Sequence, residues 1–138
     1  MLLAITHLIL TSFMTGSIWM VQIVHYPLFS FVERSHYSDF QNAHMHRISL
    51  VVLPIMIAEL ITALLLLYSS KEAMVFFLLN AGLLTLIWIV TFVVFTFIHT
   101  RLRRGYDDSL LKNLVAFNWI RTGLWTFRTV LISIIILQ

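Results

Sequence analysis

The chain contains no cysteine, so disulfides, thiolate metal sites and thiol catalysis are excluded, and any metal must be held by His, carboxylate or Met. Charge is scarce as well. Asp, Glu, Lys and Arg make up 11% of the 138 residues, less than half of the roughly 25% usual in soluble domains, which rules out an ordinary water-soluble fold. There is no low-complexity stretch and no linker long enough to separate domains, so residues 1–138 read as one domain. The start of the chain has neither a basic segment nor an A-x-A cleavage pattern, and its apolar run outlasts the roughly 7–15 residues of a signal core; it is expected to stay as a helix. No G-x-x-x-G face offers a helix dimerisation signal.

What the chain does have is hydrocarbon. It is 60% hydrophobic with a mean hydropathy of +0.95. Four apolar runs, near 2–32, 48–68, 73–99 and 114–137, each reach the roughly 20 residues needed to cross about 30 Å of hydrocarbon at 1.5 Å per residue. The expected fold is all-α: an integral membrane four-helix bundle with up-and-down topology. Arg34 and Arg47 lie between runs one and two, and Arg101, Arg103, Arg104 and Lys112 between runs three and four, whereas the opposite side carries Lys71. This asymmetry predicts that the two basic connections are cytoplasmic and both termini outside. The net charge of +3 follows from topology and gives no reason to invoke nucleic acid.

Punctuation within the runs is sparse. Run one is interrupted by Gly16 and Pro27, and the proline is expected to bend or unwind the helix just after His25. Residues 32–49 form a polar connection whose second half, from about Ser38 with Asp39 in its first turn, has the start signals of a helix. Ser69, Ser70 and Lys71 are expected to make an outer turn. Residues 99–113 form the second inner connection, with Gly105 as a helix stop and Asp107 or Asp108 as the next N-cap. A faint twofold repeat is visible, since both odd runs end in a histidine and both even runs start polar and carry a charge about midway.

Counting from the turns puts the polar residues at shared depths. His25, His44, His99, Asn118 and Arg121 all fall near the inner end. His25 is followed by Tyr26 and Pro27, with Gln22 one turn back on the same face. His7, His36 and His46 are expected to be interfacial and water-bonded. Glu59 lies deep in run two, fifteen residues after His44, a rotation of about 60° that lets both face the interior. An intramembrane carboxylate must be neutral, paired or coordinating. Arg128 lies at a matching depth, so a structural ion pair of Glu59 and Arg128 is expected.

Imidazoles and a carboxylate on facing helices are the ingredients of Zn, Fe or Cu sites. With no E-x-x-H or H-E-x-x-H in the chain, a di-iron carboxylate site is not expected. His25, His44 and His99 are the candidate ligands for one metal ion, or for haem as axial ligands. Arg121 and Arg128 are seven apart with Trp125 between them. Arg121 reads either as a snorkelling interfacial cation or as a guanidinium that grips an anionic or carbonyl headgroup.

The segments "VQIVHYPLF", "FQNAHMHRISLVVLPIMIAEL" and "NWIRTGLWTFRTVL" carry a resemblance that covers nearly the whole chain. In them the chain resembles a widespread bacterial family of small four-helix membrane proteins, and more distantly it is similar to the anthrone oxygenase-like membrane proteins. The resemblance implies a four-helix fold in the bacterial inner (cytoplasmic) membrane and, through the distant likeness, oxidation of a lipophilic substrate. The leading expectation is therefore a membrane-embedded, His-ligated metalloprotein acting as an oxidoreductase on a lipophilic small molecule near the cytoplasmic face. Glu59, Asn118 and Arg121 are its candidate catalytic residues, with Arg121 orienting the substrate, and membrane lipid is the expected surrounding partner. The alternative is a carrier, or a subunit of a larger membrane assembly, with an internal polar path.

Overall fold

The computed structural model describes residues 1–69 and 73–137; the expected turn at Ser70 and Lys71 falls outside the described residues. Four long helical segments, α1 (Leu2–Phe31), α2 (Arg34–Ser69), α3 (Met74–Leu102) and α4 (Asp108–Leu137), are each long and apolar enough to cross a membrane. At 1.5 Å per residue a 30-residue helix extends about 45 Å, so each outruns the hydrocarbon and carries its ends into the headgroup layers. Every helix packs on its chain neighbours, and α1 closes the ring on α4. Directions alternate: His7, early in α1, meets Thr62, late in α2, and Asn80, early in α3, while Arg128, late in α4, meets Glu59. The bundle is up-and-down, as the spacing of the apolar runs predicts.

Polarity is distributed the opposite way from a soluble bundle. The outward faces are apolar, with Leu64, Val75, Val93 and Val130 among the many exposed side chains. The interior combines Leu84, Ile87, Leu114, Trp125 and Ile132 with buried His, Gln, Asn, Glu and Arg. Lipid removes the hydrophobic drive for helices to associate, so close packing and interhelical hydrogen bonds must hold the bundle.

The polar connections prove more helical than the sequence predicts. A 3₁₀ turn over Arg34–His36 leads directly into helix at Tyr37, and α3 runs on to Leu102. Neither segment contains a proline, and Asp39 lies in the first α-helical turn after Tyr37, where its charge suits the helix dipole. Gly105, with φ +149°, supplies the backbone that stops the chain between α3 and α4. Asp107 caps α4, accepting from Ser109 Oγ at 2.7 Å and from the Leu110 N–H at 3.0 Å. Those two bonds, the Ser109 hydroxyl first, hold its carboxyl below the usual carboxylate range. The cap therefore contributes stability above an unfolded value of about 3.9 and loses it as pH falls through the depressed folded value.

Both odd helices contain a widened π turn, over Val21–His25 in α1 and Thr91–Phe95 in α3. In α1 the turn precedes Pro27, which has no N–H and whose ring needs room at the carbonyl four residues back; the wider turn, closed by Tyr26 N–H to Val21 C=O, gives that room, whereas Pro54 is held in α2 without such a turn. The disturbance thus precedes and includes His25, whereas the sequence places it just after. The helix does not break: Tyr26–Leu28 is again α-helical, followed by a 3₁₀ turn over Phe29–Phe31. Gly16 leaves α1 uninterrupted. In α3 no proline is involved, and the Thr96 hydroxyl reaches the same Thr91 carbonyl as its own N–H, at 3.4 Å. The matched turns add a second element to the faint twofold repeat.

Candidate functional site

Two polar clusters occupy the bundle interior, each with side chains from all four helices. The outer one joins His7, Glu59, Thr62, Asn80, Trp125 and Arg128. Arg128 donates from Nη1 to Glu59 Oε1 at 2.8 Å and from Nε to Asn80 Oδ1 at 3.0 Å, and Trp125 Nε1 donates to Glu59 Oε2 at 3.2 Å. Asn80 Nδ2 donates to His7 Nε2 at 2.9 Å, which makes Nε2 the acceptor. Nδ1–H then donates to Thr62 Oγ1 at 2.6 Å, and that hydroxyl passes its own hydrogen to the Ala58 carbonyl at 2.8 Å. Donors and acceptors alternate consistently, so His7 is neutral and the network is closed. The expected Glu59–Arg128 pair is present, with both side chains fully buried.

The outer cluster corrects two expectations. His7 is not interfacial: it is wholly buried and central to the network. Glu59 does not join the inner histidines, because fifteen residues of helix separate it from His44 by about 22 Å along the axis. Its carboxylate is committed to Arg128 and Trp125 instead.

The inner cluster holds the three candidate ligands. His25 Nε2 and His44 Nδ1 are 2.9 Å apart and share a hydrogen bond; the His44 and His99 rings are 5.6 Å apart, centre to centre. His25 ends the π turn at Val21–His25, and its ring meets that of His44 at an interplanar angle of 44°. Gln41, one turn before His44, donates to His99 Nδ1 at 2.6 Å. His99 Nε2–H is then the donor to Tyr26 Oη at 3.2 Å, which leaves the phenolic hydrogen free. On the neighbouring side Asn118 Nδ2 donates to Gln22 Oε1 at 2.9 Å, and Gln22 Nε2 to the Val115 carbonyl at 3.2 Å.

Convergence of the three rings is thus as the common depth predicts; four of their six nitrogens are hydrogen-bonded, while His44 Nε2 is buried without a partner. Two imidazole nitrogens on one tetrahedral ion stand about 3.3 Å apart, whereas His25 and His44 are at hydrogen-bond distance, and both His99 nitrogens are bonded to Tyr26 and Gln41. Among the described residues no three His or carboxylate groups are arranged to hold an ion. In this arrangement His25 and His44 bond each other and His99 bonds Tyr26 and Gln41, so a shared ion would need these bonds exchanged.

Arg121 is 6% exposed, which removes the snorkelling reading. Its guanidinium lies 4.3 Å over the Phe95 ring and 5.3 Å over Trp125, its Nε has no hydrogen-bond partner, and among the described residues it forms no salt bridge. It borders a cavity of about 200 Å³ whose closed end also carries Tyr26 and His99. The walls are apolar, from Met14, Ile18, Met56 and Phe95, all buried, and the mouth is made by the exposed Ser49, Leu53, Phe92 and Thr96. The cavity therefore opens sideways between α2 and α3, toward the hydrocarbon. A second cavity, of about 380 Å³ between α1 and α2, reaches the His25–His44 pair beside Arg47.

Of the residues singled out from sequence, His25, His44, His99 and Arg121 share the inner region, Asn118 adjoins it through Gln22, and Glu59 lies in the outer network. His36 and His46 are exposed, as expected. Sequence reasoning missed Gln41, Asn80 and His7. Gln41 and Asn80 each had a signal: Gln41 shares a face with His44 at i,i+3, and Asn80 is a lone amide inside an apolar run. Compared with known protein families, curated proteins and solved structures, the chain matches none.

Proposed function

We propose that the protein binds a lipophilic molecule that enters from the membrane between α2 and α3, with its polar end held by Tyr26 and Arg121 and with His99 positioning Tyr26. One observation carries this reading: an apolar cavity opens toward hydrocarbon and ends in a buried, polar floor. A few placed polar groups at the end of an apolar pocket are the usual design of a small-molecule site. The inner cluster lies beside the basic connections, so in a bacterial inner membrane with both termini outside, the site sits near the cytoplasmic face.

Whether the bound molecule is transformed or carried depends on the histidines. The oxidoreductase reading is favoured by the convergence of His25, His44 and His99, and it requires the His25–His44 hydrogen bond to be exchanged for ligation of an ion. Elemental analysis and the absorption spectrum of the purified protein test that step: a colourless, metal-free protein whose activity survives His25→Ala leaves the carrier or subunit reading.

The binding reading has its own test. A hexadecyl photoreactive diazirine in vesicles should label Ser49, Leu53, Phe92 and Thr96 above the rest of the outer surface, and Leu53→Trp, which plugs the mouth, should reduce that labelling severalfold. Labelling spread evenly around the bundle rejects the site.

A further inference from the structure

The charges inside the bundle do not balance. Glu59 and Arg128 neutralise each other at 2.8 Å, and His7 and His99 each use one ring nitrogen as an acceptor, which makes them neutral. Arg121 remains, a buried cation with no salt bridge among the described residues, its Nε unpartnered. Stacking on Phe95 and Trp125 offsets part of the cost, since ring faces attract cations. It does not satisfy the Nε–H, and a charge in hydrocarbon without a counter-charge is the expensive case.

We propose that the ligand of the α2–α3 cavity is a single-chain lipophilic carboxylate, its head on Arg121 and Tyr26 and its tail lying out through the Ser49–Leu53 and Phe92–Thr96 mouth. This rests on the cavity being a lipophile site, and deepens that reading by naming the head. Three features select it. The floor offers donors: the Arg121 guanidinium, whose Nε–H has no partner, and the Tyr26 hydroxyl, 3.2 Å from His99 Nε2. Such a floor takes an acceptor, and its positive charge favours an anion. A planar guanidinium matches a planar carboxylate, and a second cation of the kind that a doubly charged phosphate head needs is lacking among the floor residues. Finally, a cavity of about 200 Å³ is below the roughly 300–1,000 Å³ of drug-sized pockets, so it takes a head and the start of one chain.

The full chain in nanodiscs of neutral phospholipid, titrated with palmitate, hexadecanol and palmitoyl lysophosphatidate, tests the proposal by binding and by melting temperature. Palmitate should bind at least about tenfold more tightly than hexadecanol and raise the melting temperature. Arg121→Gln should abolish that preference and, with no bare cation left, melt higher than wild type when ligand-free; Tyr26→Phe should weaken palmitate severalfold. Should Arg121→Gln not fold, Leu53→Trp must block palmitate and hexadecanol alike. Equal binding of palmitate and hexadecanol, with Arg121→Gln indistinguishable from wild type, overturns the carboxylate while leaving the cavity as a lipophile site. Tighter binding of lysophosphatidate overturns the carboxylate in favour of phosphate, and failure of all three probes to bind removes both readings.

Discussion

Glu59 and Arg128 are coupled through a direct bond in a dry interior, and each has a second partner, Trp125 for the carboxylate and Asn80 for the guanidinium. Removing one member strands the other, which costs about 3–5 kcal/mol in buried pairs. Glu59→Gln and Arg128→Gln should each lower stability in detergent by that order, and the double variant by clearly less than their sum; simple addition in the denaturation midpoints means no coupling. His7→Leu should cost less, about 1–3 kcal/mol, because the group it leaves without a partner, the Asn80 Nδ2 donor, is uncharged, while the Thr62 hydroxyl keeps its bond to the Ala58 carbonyl. The ion pair was legible in the sequence, since a lone carboxylate and a lone guanidinium at one depth have few alternatives in hydrocarbon. His7 was not legible: six residues from the chain start it reads as interfacial, and its partners Thr62 and Asn80 lie 55 and 73 positions away.

The two π turns look alike, but only that of α1 precedes a proline, and deletions test whether this matters. In each, a residue five positions on closes the turn: Tyr26 to Val21 and Thr96 to Thr91. Removing one exposed residue from the turn converts that bond into an ordinary α-helical one and leaves the flanking faces in register. Deleting Val93 from α3 should therefore leave the melting temperature near wild type. Deleting Val24 from α1 brings the Pro27 ring back against the carbonyl four residues before it, at a cost of about 3 kcal/mol or more, so this variant should melt well below the other. If both deletions behave alike, Pro27 does not explain the α1 turn. The proline was readable as a disturbance, but its form was not, because a chain that cannot leave the membrane re-forms helix immediately rather than breaking. The α3 turn has no proline to announce it; Thr91 and Thr96 are common residues in such helices, and only their shared carbonyl marks the place.

At the scale of the whole molecule, apolar run lengths determine four crossings, and polar contacts between helix ends, His7 with Thr62 and Asn80, His25 with His44, and Arg128 with Glu59, show that they alternate. The two basic connections lie on one side by construction, and they are also tied together: Ser38 Oγ donates to the Arg103 carbonyl at 2.6 Å, Arg103 Nε donates to Asn42 Oδ1 at 2.5 Å, and Arg34 lies 5.1 Å over the Tyr106 ring. Reporter fusions after Ser70 and after Gly105 must therefore give opposite answers whichever way the bundle inserts. Charge decides which answer belongs to which site, because Arg and Lys close to a helix end resist translocation. The Gly105 fusion should report the cytoplasm. Replacing Arg101, Arg103 and Arg104 with Gln should produce a mixed orientation, since it removes half of the basic residues in the two connections without touching the interior that specifies the fold. A Gly105 fusion found outside in the unaltered chain would reverse the sidedness, and the α2–α3 cavity would then open near the outer leaflet, with the same floor and the same mouth.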